Sequence, residues 1–507
     1  MSRPMKELER QRWERMLSWL QDKHGMDTSE HGFHVEARAV EGAGRGLFAL
    51  RDCLRGTTLF KVPSTALMNR TTVAKLYPRL RERRLSGIHL VTLHLLLHRP
   101  PGDDDSSDPV FGPYISTLPR DFSSHPLHWM VKQELKQDDV WERRTFVHLP
   151  PSAAEKLYAL HKRFWNDWKI VSSVLAEDQA KLPQSSRTDI VSTSLDIVKD
   201  ATLTLGYLWA WLNGRYFVMF SSSRHLMYNP LVNTRCIFYR IRANRADPDN
   251  FTLCPVLDFA NHYHGQTHIF PVIDSEPWSA ETKKLPKYFT FFSPSQEGLT
   301  KGQELYLRYG SHSNSLLFAE YGFVNVVPGG AIKSGEYPGE VDVEELVEYQ
   351  FTEKGSLGAR MKSALEDEGY WGDWTLHSAP TPAHPSYRLM VALRLLHALE
   401  SNNARDHEQD TAFESVLEIW RNVISGYADY ISPQNEEQWR RTLLHICERI
   451  TDRAHTRLET LSTLELNTRT EERSWRRWMT GNVVALWTEE RDVAEAVKAS
   501  ILSGVEF

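Results

Sequence analysis

Strand-like sequence comes in two blocks far apart in the chain, and that separation limits the possible folds more than any other feature. The first block spans 33–63. Residues 34–40 alternate polar and apolar, a glycine-rich loop follows at 42–46, and 47–50 and 57–62 read as two more short strands. The second block spans 232–307, where CIFY, TLCPVLDF, HIFPVI, KYFTFF and ELYLR are all strand-like. Between them, 73–212 carries apolar and aromatic residues at helical spacing, and helical patterns return after 330 and run to the end. The expected fold class is α+β: a β-rich domain of small sheets split by a helical insert, then an all-α C-terminal domain. The boundaries are drawn at 1–72, 73–231, 232–327 and 335–507.

Local signals fill in this outline. Residues 6–22 read as an amphipathic helix stopped at Gly25. The segment 100–109, PPGDDDSSDP, reads as a solvated loop. Residues 152–176 and 190–211 read as long helices, with Phe164, Trp165 and Trp168 as packed-face residues rather than a binding stripe. In the tail, 387–399, 412–424, 437–450 and 475–487 carry helical stripes. No internal repeat is found.

A chain of 507 residues is long enough for several domains. Its formal net charge of −6 gives no bulk electrostatic reason to bind nucleic acid. The four cysteines, Cys53, Cys236, Cys254 and Cys447, form no CxxC pair, so neither a zinc cluster nor a disulfide framework is expected. They fit a reducing compartment, cytoplasmic or nuclear. The charged N-terminus is no secretory signal, and no apolar run approaches the roughly 18 residues of a membrane span.

Three segments carry chemistry. PVLDFANH at 255–262 reads as a short apolar strand, 255–257, running into a turn that brings Asp258, Asn261 and His262 to one place; by itself it also suits a self-bonded Asx turn. EGAGRGLFAL at 41–50 lets backbone approach a ligand closely. A dinucleotide loop would need a helix after those glycines, and a strand follows instead; a plain hairpin turn is the main competitor. GQELYLRYG at 302–310 and NSLLFAEYGFV at 314–324 place Tyr309 and Tyr321 beside glycine turns.

Taken together and in this order, the three segments resemble the SET-domain protein methyltransferases, and more narrowly the branch typified by the Rubisco large-subunit methyltransferase. FGPYISTLPR at 111–120 also matches that branch. By motif the resemblance covers 33–324; beyond that it is architectural. It implies S-adenosylmethionine as cofactor, no metal, and a protein substrate recruited by the C-terminal helical domain. The implied activity is lysine N-methylation of a non-histone protein such as a ribosomal protein or elongation factor. The alternatives are a histone or histidine methyltransferase, or a non-catalytic scaffold of the same fold. Backbone at Gly44, Arg45 and Gly46 would hold the methionine end of the cofactor, with Asn261 and His262 against it and Asp258 nearby. Tyr309 would be the catalytic tyrosine, Tyr321 would lie near the adenine, and Phe323 would line the substrate channel; Tyr321 and Phe323 also suit ordinary core positions.

One departure interrupts the match. After YLWAWL at 207–212, the block NGRYFVMFSSSRHLMYNPL at 213–231 precedes VNTRC. Removing it restores the family pattern and puts Thr234 and Arg235, rather than Arg215 or Arg224, at the cofactor-side Ser/Thr-Arg position. The block is either a surface loop or translated non-coding sequence. A mature transcript that encodes it in frame would exclude the second.

Overall fold

In the computed structural model the first strand block starts with β1 (Val35–Val40), β2 (Gly44–Ala49) and β3 (Thr58–Pro63). The second adds β4 (Val232–Asn233), β5 (Cys236–Phe238), β6 (Phe251–Leu253), β7 (Asn261–His262), β8 (Phe270–Val272), β9 (Tyr288–Phe292) and β10 (Glu304–Leu307). The structure describes residues 6–40, 44–137, 139–182, 200–214, 232–233, 236–242, 244, 247–265, 267–272, 286–310, 312–399, 406–466 and 474–507. Thr234, Arg235 and most of the 213–231 block lie outside this set. The chain divides into two compact units, one of 1–139 with 157–312 and one of 140–156 with 313–507.

In the first unit the two strand blocks interleave. One sheet runs β1-β2-β10-β7, a second β3-β9-β8, and a third β4-β5-β6. Two of these sheets therefore contain strands from both ends of the split domain. The β3–β9 pair sets Phe60 opposite Phe291, with rings stacked at 4.8 Å and both side chains fully buried. Cross-strand aromatic pairs of this kind fix register.

Several helices of this unit follow their sequence patterns; of the helix expected at 190–211, Ala201–Gly214 is helical and 190–199 lie outside the described residues. Glu7–His24 ends on Gly25 at φ 69°, a left-handed cap, and buries Trp13, Met16, Trp19 and Leu20. Gly87–Leu97 packs against Ala201–Gly214. The approach is close: a Cβ on Gly214 would stand 3.0 Å from Leu95 Cδ1. Trp168 stacks on Tyr207 at 4.6 Å and its indole N–H donates to Thr204, so this fully buried ring also has its polar atom satisfied.

Two local readings change. Residues 255–257 are not a strand. Pro255 has no N–H to continue the ladder after β6, and Val256 turns the chain at φ 72°, ψ −56° into the short 3-10 helix Leu257–Phe259. The loop 100–109 is solvated except at Pro100 and Asp108, which are buried, and Ser106, which is half-buried.

The second unit is largely helical: Asn314–Tyr321, Glu344–Glu353, Gly355–Asp367, Tyr387–Leu396, Asp406–Ile424, Pro433–Leu466 and Ser474–Leu502. The last two pack along each other. The core is built on the fully buried Trp374, Trp420 and Trp439 with Leu393, Leu443 and Val497. The region is not wholly α. It contains an antiparallel sheet of β11 (Glu340–Asp342), β12 (Thr375–His377) and β13 (His384–Pro385).

Candidate active site

Register brings the three motif segments together. β10 pairs antiparallel with β2 through Glu304 opposite Phe48 and Leu305 opposite Leu47. On its other edge β10 pairs parallel with β7, Tyr306 opposite Asn261 and Leu307 opposite His262. Gly44, Arg45 and Gly46 therefore share a sheet with Asn261 and His262, and Tyr309 follows just beyond β10.

Asn261 ties the strands side to side. Its amide Nδ2 donates to the Arg45 carbonyl at 3.0 Å and to Glu304 Oε1 at 2.8 Å. Both amide hydrogens are thereby engaged, which fixes where Oδ1 points. This crossing needs Gly46: a Cβ there would lie 2.6 Å from Glu304 Oε1, 2.9 Å from Val40 Cγ2 and 3.1 Å from Asn261 Nδ2. Glu304 was not singled out in the sequence; it is the first strand residue of the ELYLR motif.

Tyr309 is held at both ends by one short segment. Its hydroxyl donates to the Ala260 carbonyl at 3.0 Å, and its backbone N–H donates to His262 Nδ1 at 3.1 Å. Because Nδ1 accepts, the neutral imidazole carries its proton on Nε2. Burial, with His312, His264 and Arg308 nearby, lowers the His262 pKa to about 4, so the ring is neutral at physiological pH.

The turn behind this segment is braced from the helical insert. Asp258 accepts a hydrogen bond from the Tyr114 hydroxyl, and Tyr114 is fully buried within the 111–120 motif. Phe259 takes the Arg45 guanidinium over its face at 4.0 Å and Trp13 against its edge at 4.7 Å. The left-handed backbone at Val256 sits at the base of the turn. A β-branched residue pays about 1–2 kcal/mol for that conformation, so packing around the turn overrides local preference.

The donor set fits the amino-acid end of S-adenosylmethionine. Gly44 has φ 78° and nothing within 4 Å of the position a Cβ would take, so backbone there is open to close approach. Arg45 and the oriented Asn261 amide stand beside it, complementary to a carboxylate and an ammonium. No helix follows Gly44, Arg45 and Gly46, so the N-terminal phosphate cradle of a dinucleotide site is not formed. Thr234 and Arg235 lie outside the described residues.

Tyr321 and Phe323 belong to the second unit. They flank Gly322, the left-handed cap of Asn314–Tyr321, with ring centroids 5.8 Å apart. Neither is fully buried. In the same unit Asn314 Nδ2 donates to Glu489 at 2.6 Å and Asn314 Oδ1 accepts from the Asn325 N–H at 2.8 Å, which holds the helix start against its own exit. Glu489 and Glu490 are almost completely buried, and burial raises the pKa of each to about 7.

Comparison with known proteins places this geometry. The family described as Rubisco LSMT substrate-binding matches residues 350–493. The chain is 23% identical over 430 residues to the ribosomal lysine N-methyltransferase set11 of Schizosaccharomyces pombe, covering 83% of each. It is 22% identical over 505 residues to SET domain-containing protein 4 of Homo sapiens, covering 98% of this chain and 92% of that one. Among solved structures, the SET domain of LSMT bound to lysine and AdoHcy aligns over 97% of this chain and 91% of its own, with a TM-score of 0.56 at 18% identity. Rubisco LSMT bound to AdoMet aligns with a TM-score of 0.55 over 98% of this chain and 92% of its own, at 19% identity. The fold is shared with these structures.

Proposed function

We infer that this chain, a SET-domain protein of the Rubisco LSMT-like branch, is a protein-lysine N-methyltransferase that uses S-adenosylmethionine. The observation that carries this reading is the Tyr309 hydroxyl held on the Ala260 carbonyl, beside Asn261 and just beyond the strand that pairs with the one carrying Gly44, Arg45 and Gly46.

When bound, S-adenosylmethionine supplies an electrophilic methyl group on a sulfonium. The residues supply position, which is where most of the rate gain in such a displacement is found. Arg45 and Asn261 are suited to hold the amino-acid end. The Tyr309 and Ala260 oxygens offer acceptors for weak C–H···O contacts with a polarised methyl. Asp258, bonded to Tyr114, acts by positioning the turn. A lysine side chain must lose its proton to attack, and its free pKa is ~10.4; a dry aromatic surround disfavours the ammonium and lowers that value. Tyr321 is assigned to the adenine and Phe323 to the acceptor channel.

For the substrate we propose a ribosomal protein, a class supported by the names of the yeast relatives, ribosomal lysine N-methyltransferase set11 and ribosomal lysine N-methyltransferase 2. The substrate-binding region at 350–493 is assigned to its recruitment. The proposed compartment is the cytoplasm or nucleus. Cys53, Cys254 and Cys447 are unpaired thiols, as a reducing compartment keeps them. Among the described residues no helix is long and apolar enough to cross a membrane.

The test is methyl transfer from labelled S-adenosylmethionine to a ribosomal fraction, with acid hydrolysis of the product. Labelled methyl-lysine is expected, and Tyr309→Phe should cut turnover by roughly 100-fold or more while the cofactor Kd barely moves. Tight cofactor binding with no labelled product would favour a non-catalytic scaffold. Label on histidine would move the acceptor assignment.

A further inference from the structure

In the insert, well away in sequence from the strands of the active site, three metal-ligating side chains converge in the protein interior. His94 and His98 stand one turn apart at the end of the helix Gly87–Leu97, His98 as its C-cap. The chain leaves through the proline- and aspartate-rich loop and brings Asp108 back against them. All three are buried, with relative exposures of 1%, 7% and 6%. His94 Nε2 is 3.3 Å from Asp108 Oδ2, and His98 Nε2 is 3.7 Å from Asp108 Oδ1. One ligand atom from each residue lies within 4.8 Å of the others.

We propose that His94, His98 and Asp108 form a structural binding site for a divalent cation of the zinc class. Two imidazole nitrogens and one carboxylate oxygen fill three corners of a tetrahedral zinc site, and the second carboxylate oxygen, held close to the first, supplies a fourth donor in distorted geometry. Calcium and magnesium prefer six or more oxygens, and imidazole suits the borderline transition cations. Metal–ligand bonds of about 2.0–2.1 Å imply ligand–ligand edges of roughly 3.3 Å in a tetrahedron. The two His–Asp edges are already near that length, so binding asks only that the two rings close toward each other.

The surroundings match as well. Ligating imidazoles and carboxylates are held by partners outside the metal sphere. His94 Nδ1 is 2.8 Å from the Tyr77 hydroxyl, and Asp108 Oδ2 accepts the Phe111 N–H at 2.5 Å. With a cation on Nε2, each imidazole keeps its proton on Nδ1, and that of His94 then points at the Tyr77 oxygen. The bland competitor is a network in which both Nε2–H groups donate to Asp108. In either case Asp108, which accepts from the Phe111 N–H, holds the start of the segment carrying Tyr114, whose hydroxyl braces Asp258.

The test uses the full chain and zinc alone. Purified protein should retain about one zinc per chain after gel filtration, and chelation followed by saturating zinc should raise Tm by roughly 5 °C. His98→Gln, which preserves a donor toward Asp108, should lose the zinc and the Tm response while keeping its circular dichroism. Should that variant not fold, cobalt(II) added to the chelated wild type is the second measurement; a tetrahedral visible spectrum displaced by zinc supports the site. Wild type that binds no zinc and shows no Tm response overturns the proposal, as does zinc retained equally by His98→Gln.

Discussion

Gly46→Ala gives the most direct test of how the candidate active site is assembled. The added methyl would lie 2.6 Å from Glu304 Oε1 and 2.9 Å from Val40 Cγ2. The carboxylate can swing aside, but only by releasing the Asn261 amide it accepts from at 2.8 Å. Val40 is β-branched and has little rotamer freedom with which to give way. A hydrogen bond to a charged group contributes about 1.5–3 kcal/mol, and replacing glycine inside a strand returns about 0.5–1 kcal/mol of backbone entropy. The net cost is on the order of 2 kcal/mol, enough to lower Tm by a few degrees. If Asn261 orients the cofactor, a loss of that size should raise its Kd roughly 30-fold. Calorimetry with S-adenosylmethionine alongside thermal melts reads both quantities. Asn261→Ala should raise the Kd comparably without the Val40 clash. Gly44→Ala, with nothing within 4 Å of its Cβ but φ at 78°, should cost about 1 kcal/mol through backbone alone. A Kd for Gly46→Ala and Asn261→Ala within twofold of wild type would refute the cofactor role of this crossing.

Two further outcomes follow from the second unit. Phe323→Ala should raise KM for the protein substrate by roughly tenfold and leave the cofactor Kd unmoved; an unchanged KM removes Phe323 from the acceptor channel. Glu489 and Glu490 have folded pKa values of about 7, above the ordinary carboxylate value, so folding favours their protonated forms. Their contribution is fully present below about pH 4.5 and is lost as pH rises through 7, by roughly 3 kcal/mol per group as an upper figure. Denaturation between pH 5 and 8 should show this decline in wild type and a shallower one in Glu489→Gln; parallel curves would contradict it.

The sequence was most informative where local rules and tertiary structure agree. The alternation before Val40, the aromatic run Tyr288–Phe292 and the Gly25 cap all appear as the pattern predicts. The meeting of the glycine, Asn-His and tyrosine segments was legible only through resemblance, because β7 is two residues long and has no periodicity to read. Val256 defeated the strand reading of 255–257, since a positive φ at a β-branched residue is imposed by surrounding packing. The sheet of β11–β13 was hidden in the same way, by strands of two or three residues. Tyr114 stood in a recognised segment, yet its partner Asp258 is 144 positions away. His94 and His98 are an i, i+4 pair in an apolar helix, a spacing that equally suits core packing, and the third member, Asp108, is brought to them only by the fold of the following loop.

The place of β10 between β2 and β7 has a consequence for biosynthesis. β2 leaves the ribosome early, but the strand that covers its open edge is translated only after some 250 further residues, a wait of roughly 10–50 s at ordinary elongation rates. Throughout that interval the nascent chain displays a largely apolar strand paired with β1 on one edge and open on the other, a template for wrong partners. Slowing translation between these two points should therefore increase the dependence of the yield on chaperones, while slowing it after residue 310 should not.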